Sequence, residues 1–170
     1  GHDLMLDFLE KSNLNFDIQI AGAFLSTQAN FTKKIKTYIK KINNNNHKSC
    51  KVLGWVDSEK IKKCLSKCDI FFFPSRSEAC PIALIEAMAL NKIIVTNPEV
   101  GDIGIILQNY KNKIFYTNLD KLNLVEEIKS ISIGISTFPM NYDINNLSLI
   151  LDKLYKNIYF ENFNYNCKLQ

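Results

Sequence analysis

The chain has 170 residues, 46% of them hydrophobic, and a formal net charge of +4. This is enough for one domain with a proper core, and the mild charge, spread over lysines with Arg76 as the only arginine, argues against a nucleic-acid binder. Cys50, Cys64, Cys68, Cys80 and Cys167 form no Cys-x-x-Cys pair, and His2 and His47 have no ligand spacing, so no metal site is expected and the thiols read as reduced groups of a cytoplasmic protein.

No run is long and apolar enough to span a bilayer, and none reads as a signal peptide. Gly1 and His2 read either as an added leader or as native residues before a helix. In that helix Leu4 and Phe8, and Met5 and Leu9, share faces. Phe16, Ile18 and Ile20 alternate with Asp17 and Gln19, a short strand that stops at Ala21-Gly22-Ala23. Phe31, Ile35, Tyr38, Ile39 and Ile42 fall on one face of a second helix, with Lys33, Lys34, Lys36, Lys40 and Lys41 largely opposite. Such a basic amphipathic helix can lie on anionic lipid, but a solvated outer helix of an α/β layer is the favoured reading. Residues 43–46 are a loop tip.

Val52-Leu53-Gly54-Trp55-Val56 reads as a strand ending in a turn. Asp57 or Ser58 then caps a helix that buries Ile61, Cys64, Leu65 and Cys68. Residues 93–95 and 114–116 are further strands. Leu124, Ile128 and Ile131 mark one helix, and Leu147, Ile150, Leu151, Leu154 and Ile158 mark the last. Alternating strands and helices argue for an α/β fold with a doubly wound parallel sheet.

The chain is organised around residues 69–96. Ile70, Phe71, Phe72 and Phe73 form an apolar run without alternation, which suits a strand buried on both faces. Ser75-Arg76-Ser77-Glu78 is a polar turn. Pro81 sits where a helix accepts proline, at its first position. Residues 82–90 are apolar on every side except at Glu86, so the helix should be buried. A carboxylate in a buried helix is costly unless satisfied. Glu78 stands before the helix and Glu86 about a turn and a half into it, with free first-turn amides between. That end of a helix attracts anions, and the carboxyl end of a parallel strand is where doubly wound folds bind ligands. The residues alone leave a second reading open: Glu86 as a structural carboxylate and Glu78 as a first-turn cap.

The string PSRSEACPIALIEAMA resembles the signature of the large retaining glycosyltransferase family with the GT-B fold, often called family four: Pro-Ser, two residues, Glu, seven residues, Glu-Ala-Met-Ala. The resemblance covers nearly the whole chain but only half of a family member. It implies the Rossmann-like C-terminal half of a GT-B enzyme. Residues 1–160 are then a donor-binding domain lacking its first strand and the N-terminal acceptor domain, and residues 161–170 are a tail. It further implies that Glu86 hydrogen-bonds the nucleotide ribose and that Glu78 orients the donor sugar as the catalytic carboxylate. The amides of Ala79, Cys80 and Ile82 face the diphosphate. Gly54, Trp55 and Val56 lie against the nucleobase, although Trp55 reads equally as a surface or packing aromatic.

Gly101-Asp102-Ile103-Gly104 is similar to the family's Gly-Gly-x-Pro-Glu turn, with Asp102 for glycine, Gly104 for proline and Ile105 for the acid. Asn91 and Ile93 depart from the usual Gly-x-Pro. Asn112 matches a later Asn-Gly turn. The implied reaction moves a sugar from a nucleotide-diphosphate donor to a hydroxyl acceptor with retention, without metal or other cofactor. The Asn-rich, low-arginine sequence resembles bacterial enzymes that build surface polysaccharides such as lipopolysaccharide on lipid carriers. That implies a lipid-linked glycan acceptor held by the missing domain, and cytoplasmic location with peripheral attachment to the inner membrane. Two rivals are another GT-B enzyme, an epimerase or phosphorylase, and a non-enzymatic flavodoxin-like signalling module. The latter needs an acidic cluster that Asp17 and Asp57 do not supply.

Overall fold

The computed structural model describes residues 1–24, 26–79 and 81–135. The elements run α1 (His2–Lys11), β1 (Phe16–Ala21), a 3-10 turn (Ser26–Gln28), α2 (Ala29–Asn43), β2 (Lys48–Gly54), α3 (Ser58–Lys67) and β3 (Ile70–Phe73). They continue with α4 (Ile82–Ala89), β4 (Ile93–Thr96), a single turn α5 (Ile103–Ile106), β5 (Lys113–Phe115), a 3-10 turn (Leu119–Lys121) and α6 (Leu124–Ile135). Among the described residues every pairing between the named strands is parallel, as expected of an α/β fold. The sheet comes in two sections, β1–β2 and β3–β4–β5 in that order.

The two sections point the same way. Helix α1 starts against Pro74, at the carboxyl end of β3: a Cβ on Gly1 would fall 1.4 Å from the Pro74 carbonyl oxygen, so only glycine fits. The other end of α1 is tied to the start of β2, where Lys48 Nζ donates to the carbonyls of Leu9, Glu10 and Ser12 at 3.1, 2.8 and 2.5 Å. The carboxyl ends of β2 and β3 therefore lie on one side. Lysine caps recur. Lys92 donates to the Ser66 carbonyl in the last turn of α3, and Lys113 to the carbonyls of Leu107 and Gln108 after α5. Each satisfies carbonyls that a helix end leaves orphaned, and each complements the negative end of the helix dipole.

Three apolar clusters make the core of the described residues. Met5, Leu6, Leu9, Ile35, Ile42 and Cys50 join α1, α2 and β2, with Phe72 of β3 packed against them. Leu65, Leu84, Ala87, Ile94, Ile103 and Leu107 join α3, α4, β4 and α5. Val95, Ile114, Tyr116, Leu119 and Leu124 form the third. Asp57 caps α3 as expected, its Oδ1 accepting from the Lys60 amide at 2.7 Å. The face of α2 is also as expected, with Ile35 and Ile42 buried and the five lysines exposed. Burial pushes the Cys50 thiol up to about 11, the charge of Asp17 adding to it, so this thiol is an inert packing group.

Several expectations are corrected. In α1 the buried face is Met5, Leu6 and Leu9, and Leu4 is exposed. Strand β2 begins at Lys48, and Trp55 and Val56 lie beyond it. Its inward residue is Cys50, between Ser49 and Lys51, and this hid the strand from a hydrophobic pattern. All of β3 is only half-buried, whereas Ile94, Val95 and Thr96 of β4 are fully buried. The reason is topological: among the described residues β4 is flanked on both edges and β3 on one. Pro81 is the N-cap of α4 rather than its first residue, its carbonyl accepting from Leu84 and Ile85. Helix α4 is not buried all round, because Ile82 is 55% exposed and Ala83 is exposed. The expected helix through Leu147 and Ile158 and the tail lie outside the described residues.

Where the family pattern has glycine before β4, Asn91 adopts φ +53° and closes α4. The Asn91 amide donates to Met88 and the Lys92 amide to Ala87, a Schellman motif. The buried Asn112 side chain donates to Asn91 Oδ1 at 2.8 Å. Asparagine thus supplies the left-handed residue itself and a side-chain anchor for β5.

Candidate functional site

The turn after β3 is fastened on all sides. Thr96 Oγ1, buried at the end of β4, donates to the Phe73 carbonyl at 2.9 Å. Ser75 Oγ donates to Glu78 Oε1 at 2.5 Å, closing the turn on its own carboxylate. From the loop after β4, Gly101 at φ +53° meets the backbone of Glu78. A Cβ there would sit 2.5 Å from the Glu78 carbonyl oxygen, so any larger residue would push the two loops apart.

A fourth fastening comes from α1. Asp3 is buried and its Oδ2 accepts from Arg76 Nη2 at 3.0 Å and from Lys34 Nζ at 2.9 Å. Asp3 Oδ1 lies 2.8 Å from Arg76 Nη1, off the N–H axis. The hydrogen bond from Arg76 holds the Asp3 carboxyl well below the usual range, and Lys34 adds to it against the cost of burial.

The sequence-predicted residues fall into two groups. Glu78 is half-buried in the fastened turn, with Ala79 exposed beside it. Ile82 opens α4, and neither its amide nor that of Ala83 meets a backbone acceptor among the described residues. Glu86 is half-buried in the second turn of α4, and among the described residues no hydrogen bond or ion pair reaches its carboxylate. Cys80 lies outside the described residues. Gly54, Trp55 and Val56 stand at the carboxyl end of β2. The pairing slips at Leu53, so that Ala21 pairs with Gly54 and the Gly22 amide donates to the Gly54 carbonyl at 2.9 Å. Trp55 is 85% exposed and Val56 half-buried. No hydrogen bond or ion pair among the described residues joins the two groups, but both stand at carboxyl ends of strands running the same way.

That is an arrangement for an anion flanked by polar groups: open amides at a helix start, a preset carboxylate before it, a carboxylate within it that meets no partner among the described residues, and an exposed indole on the neighbouring section. The group 1 glycosyl transferase family model matches residues 1–134. The chain belongs to this family.

An uncharacterized glycosyltransferase of Methanocaldococcus jannaschii, MJ1178, is 26% identical over 119 residues, 69% of this chain and 31% of that protein. The crystal structure of Anabaena HepE (Alr3699) in complex with UDP and glucose superposes with a TM-score of 0.62 at 16% identity, over 94% of this chain and 44% of that one. The HepE complex with UDP-glucose gives 0.59 at 16% identity, over 93% and 44%. The fold of this chain is thus Rossmann-like, matching these GT-B structures, and the chain spans less than half the length of these relatives.

Sequence reasoning missed Asp3, Thr96 and the contact of Gly101 with Glu78. The one available signal was composition: a single arginine, Arg76, in a chain that otherwise uses lysine. Among the described residues no group of three or more His, Cys, Asp or Glu is placed to hold a metal ion, and no helix is long and apolar enough to cross a membrane. An open depression of about 630 Å³ lined by Phe24, Lys33, Lys36 and Lys40 shares no residue with the Glu78 turn.

Proposed function

We propose that this chain is the donor-binding part of a retaining glycosyltransferase that moves a hexose from a nucleotide diphosphate to a hydroxyl acceptor. The observation that carries this reading is the preset turn: Glu78 held by Ser75 and Gly101 directly before a helix start with open amides. Departure of the diphosphate is the hard step, since negative charge grows on it. Amides of Ala79 and Ile82 at the positive end of α4, joined by that of Cys80 as the family resemblance implies, stabilise that charge without reorganising and without a metal ion. Glu78 accepts hydrogen bonds from the donor sugar, and Glu86 from the ribose. Trp55 offers the nucleobase an exposed stacking face.

The parent protein is larger on this reading. Among the described residues β1 and β3 each keep one edge without a strand partner. A further parallel strand could pair with both, which supports reading residues 1–160 as a donor domain short of its first strand. The acceptor, a lipid-linked glycan of a surface polysaccharide, would then be held by a separate N-terminal domain. Peripheral attachment at the cytoplasmic face of the inner membrane would follow from that acceptor.

The test is ligand-observed NMR of the chain with UDP, GDP and ADP in the presence of a chelator. UDP is the first choice because the HepE complexes hold it. Saturable binding of one nucleotide, weakened about tenfold by Glu86→Gln, is expected, the loss of one charge-assisted hydrogen bond. Binding that requires magnesium, or that ignores Glu86→Gln, would remove the proposed chemistry. Turnover by this chain alone would contradict the need for a second domain.

A further inference from the structure

Asp3 is the meeting point of three elements. Its own helix, α1, packs with α2 and β2 in the first core cluster. Lys34 reaches it from α2, and Arg76 from the turn after β3, seventy-three positions along the chain. One buried carboxylate therefore ties the β1–β2 section, which carries Trp55, to the turn that carries Glu78. Glu78 is two residues from Arg76, and Gly1 and Pro74 touch just beside the pair.

Composition sharpens the point. The chain uses lysine at every other basic position and arginine once. A lysine would supply the same charge to Asp3. It would not supply a planar fork that lies along both carboxylate oxygens, with Nη2 donating to Oδ2 at 3.0 Å and Nη1 in ion-pair contact with Oδ1 at 2.8 Å. A single ammonium swivels about its partner, while a fork fixes direction as well as distance. The demand at position 76 is thus for geometry.

We propose that the Asp3–Arg76 pair is a positioning clamp for Glu78, fixing the β3 turn against the β1–β2 section so that the two walls of the nucleotide crevice are set before ligand arrives. This rests on the donor-site reading above. Arg76 and Asp3 are positioning residues: they act through Glu78 rather than on the donor.

The experiment compares Arg76→Lys and Asp3→Asn with the unaltered chain in two measurements. Backbone order parameters from ¹⁵N relaxation are taken without ligand at Ser77, Glu78 and Ala79, with β4 as internal reference. Dissociation constants for UDP are taken by ligand-observed NMR. In Arg76→Lys, which keeps the charge, the turn is expected to fall from a rigid order parameter of about 0.85 to below about 0.6 while β4 is unchanged. UDP binding should weaken five- to tenfold. Asp3→Asn should reproduce the loosened turn, and it serves if Arg76→Lys does not fold.

A lysine that restores both turn order and affinity would overturn the clamp, since charge alone would then suffice. So would a loss of order that spreads equally over β4, which marks a general structural role. If the unaltered chain binds no nucleotide diphosphate, the donor-site reading fails, and the relaxation measurement still decides whether Arg76 orders the turn.

Discussion

The β1–β2 section and the β3–β4–β5 section use the same parallel pairing and end in loops on the same side, yet they are finished differently. In the second, Ile94, Val95 and Thr96 of β4 are fully buried, Thr96 ties β4 to β3, and the Glu78 turn is held by Ser75, Gly101 and Arg76. In the first, β1 alternates between half-buried and exposed positions, and the loop after β2 ends in a tryptophan that is 85% exposed. On the proposed donor-site reading, the contrast suits a crevice whose anion-binding wall must be preorganised and whose other wall offers an open face. Fixed dipoles pay off where charge develops, whereas stacking tolerates looser geometry.

The largest effect should come from the core of the better-packed section. Ile94→Ala is expected to cost about 2–5 kcal/mol, because Ile94 is fully buried between α3, α4 and α5. The matching change in the other section, Ile18→Ala, should cost about half as much, since Ile18 is only part-buried. Urea midpoints of the two variants compare the sections directly, and equal losses would erase the distinction.

Next is the tie between β2 and the far end of α1. Lys48→Met removes three carbonyl contacts and should cost about 1–3 kcal/mol in the same unfolding experiment. A loss within error would mean that water caps α1 as well as Lys48 does.

Acid should loosen the near end. The Asp3 carboxyl titrates below its unfolded value of 3.8, so its contribution is complete above that pH and is lost as pH falls further. The difference in urea midpoint between the unaltered chain and Asp3→Asn should therefore hold steady from pH 7 to about pH 4 and shrink below it. A difference that grows on acidification would contradict the pairing with Arg76 and Lys34.

The smallest effect on stability belongs to Trp55. Trp55→Ala should change unfolding by less than about 0.5 kcal/mol, because the indole is almost wholly exposed. It should nevertheless weaken UDP binding by about 1–3 kcal/mol, the usual worth of a base–aromatic stack. Unchanged UDP affinity would return Trp55 to the surface and leave the β1–β2 wall without a ligand contact.

Much of this molecule was written locally. The alternation of Phe16, Ile18 and Ile20, the cap at Asp57, the lysine face of α2 and the turn from Pro74 to Glu78 each depend on neighbours a few positions away. The order of elements, the parallel α/β class and the family signature were accordingly legible from the 170 residues. Strand β2 was placed late because its inward residue, Cys50, stands between Ser49 and Lys51, and β3 was read as buried on both faces because four apolar residues in a row carry no sign of partial exposure.

What the sequence by itself determined is therefore the elements and the two carboxylates, since periodicity and spacing report on residues close along the chain. The tertiary structure decided which strand is enclosed, why positions 1 and 101 must be glycine, and which carboxylate the single arginine serves. Those facts depend on close approach between segments as far apart as Asp3 and Arg76. No local pattern encodes such an approach, because it is set by how helices and strands pack once both have formed.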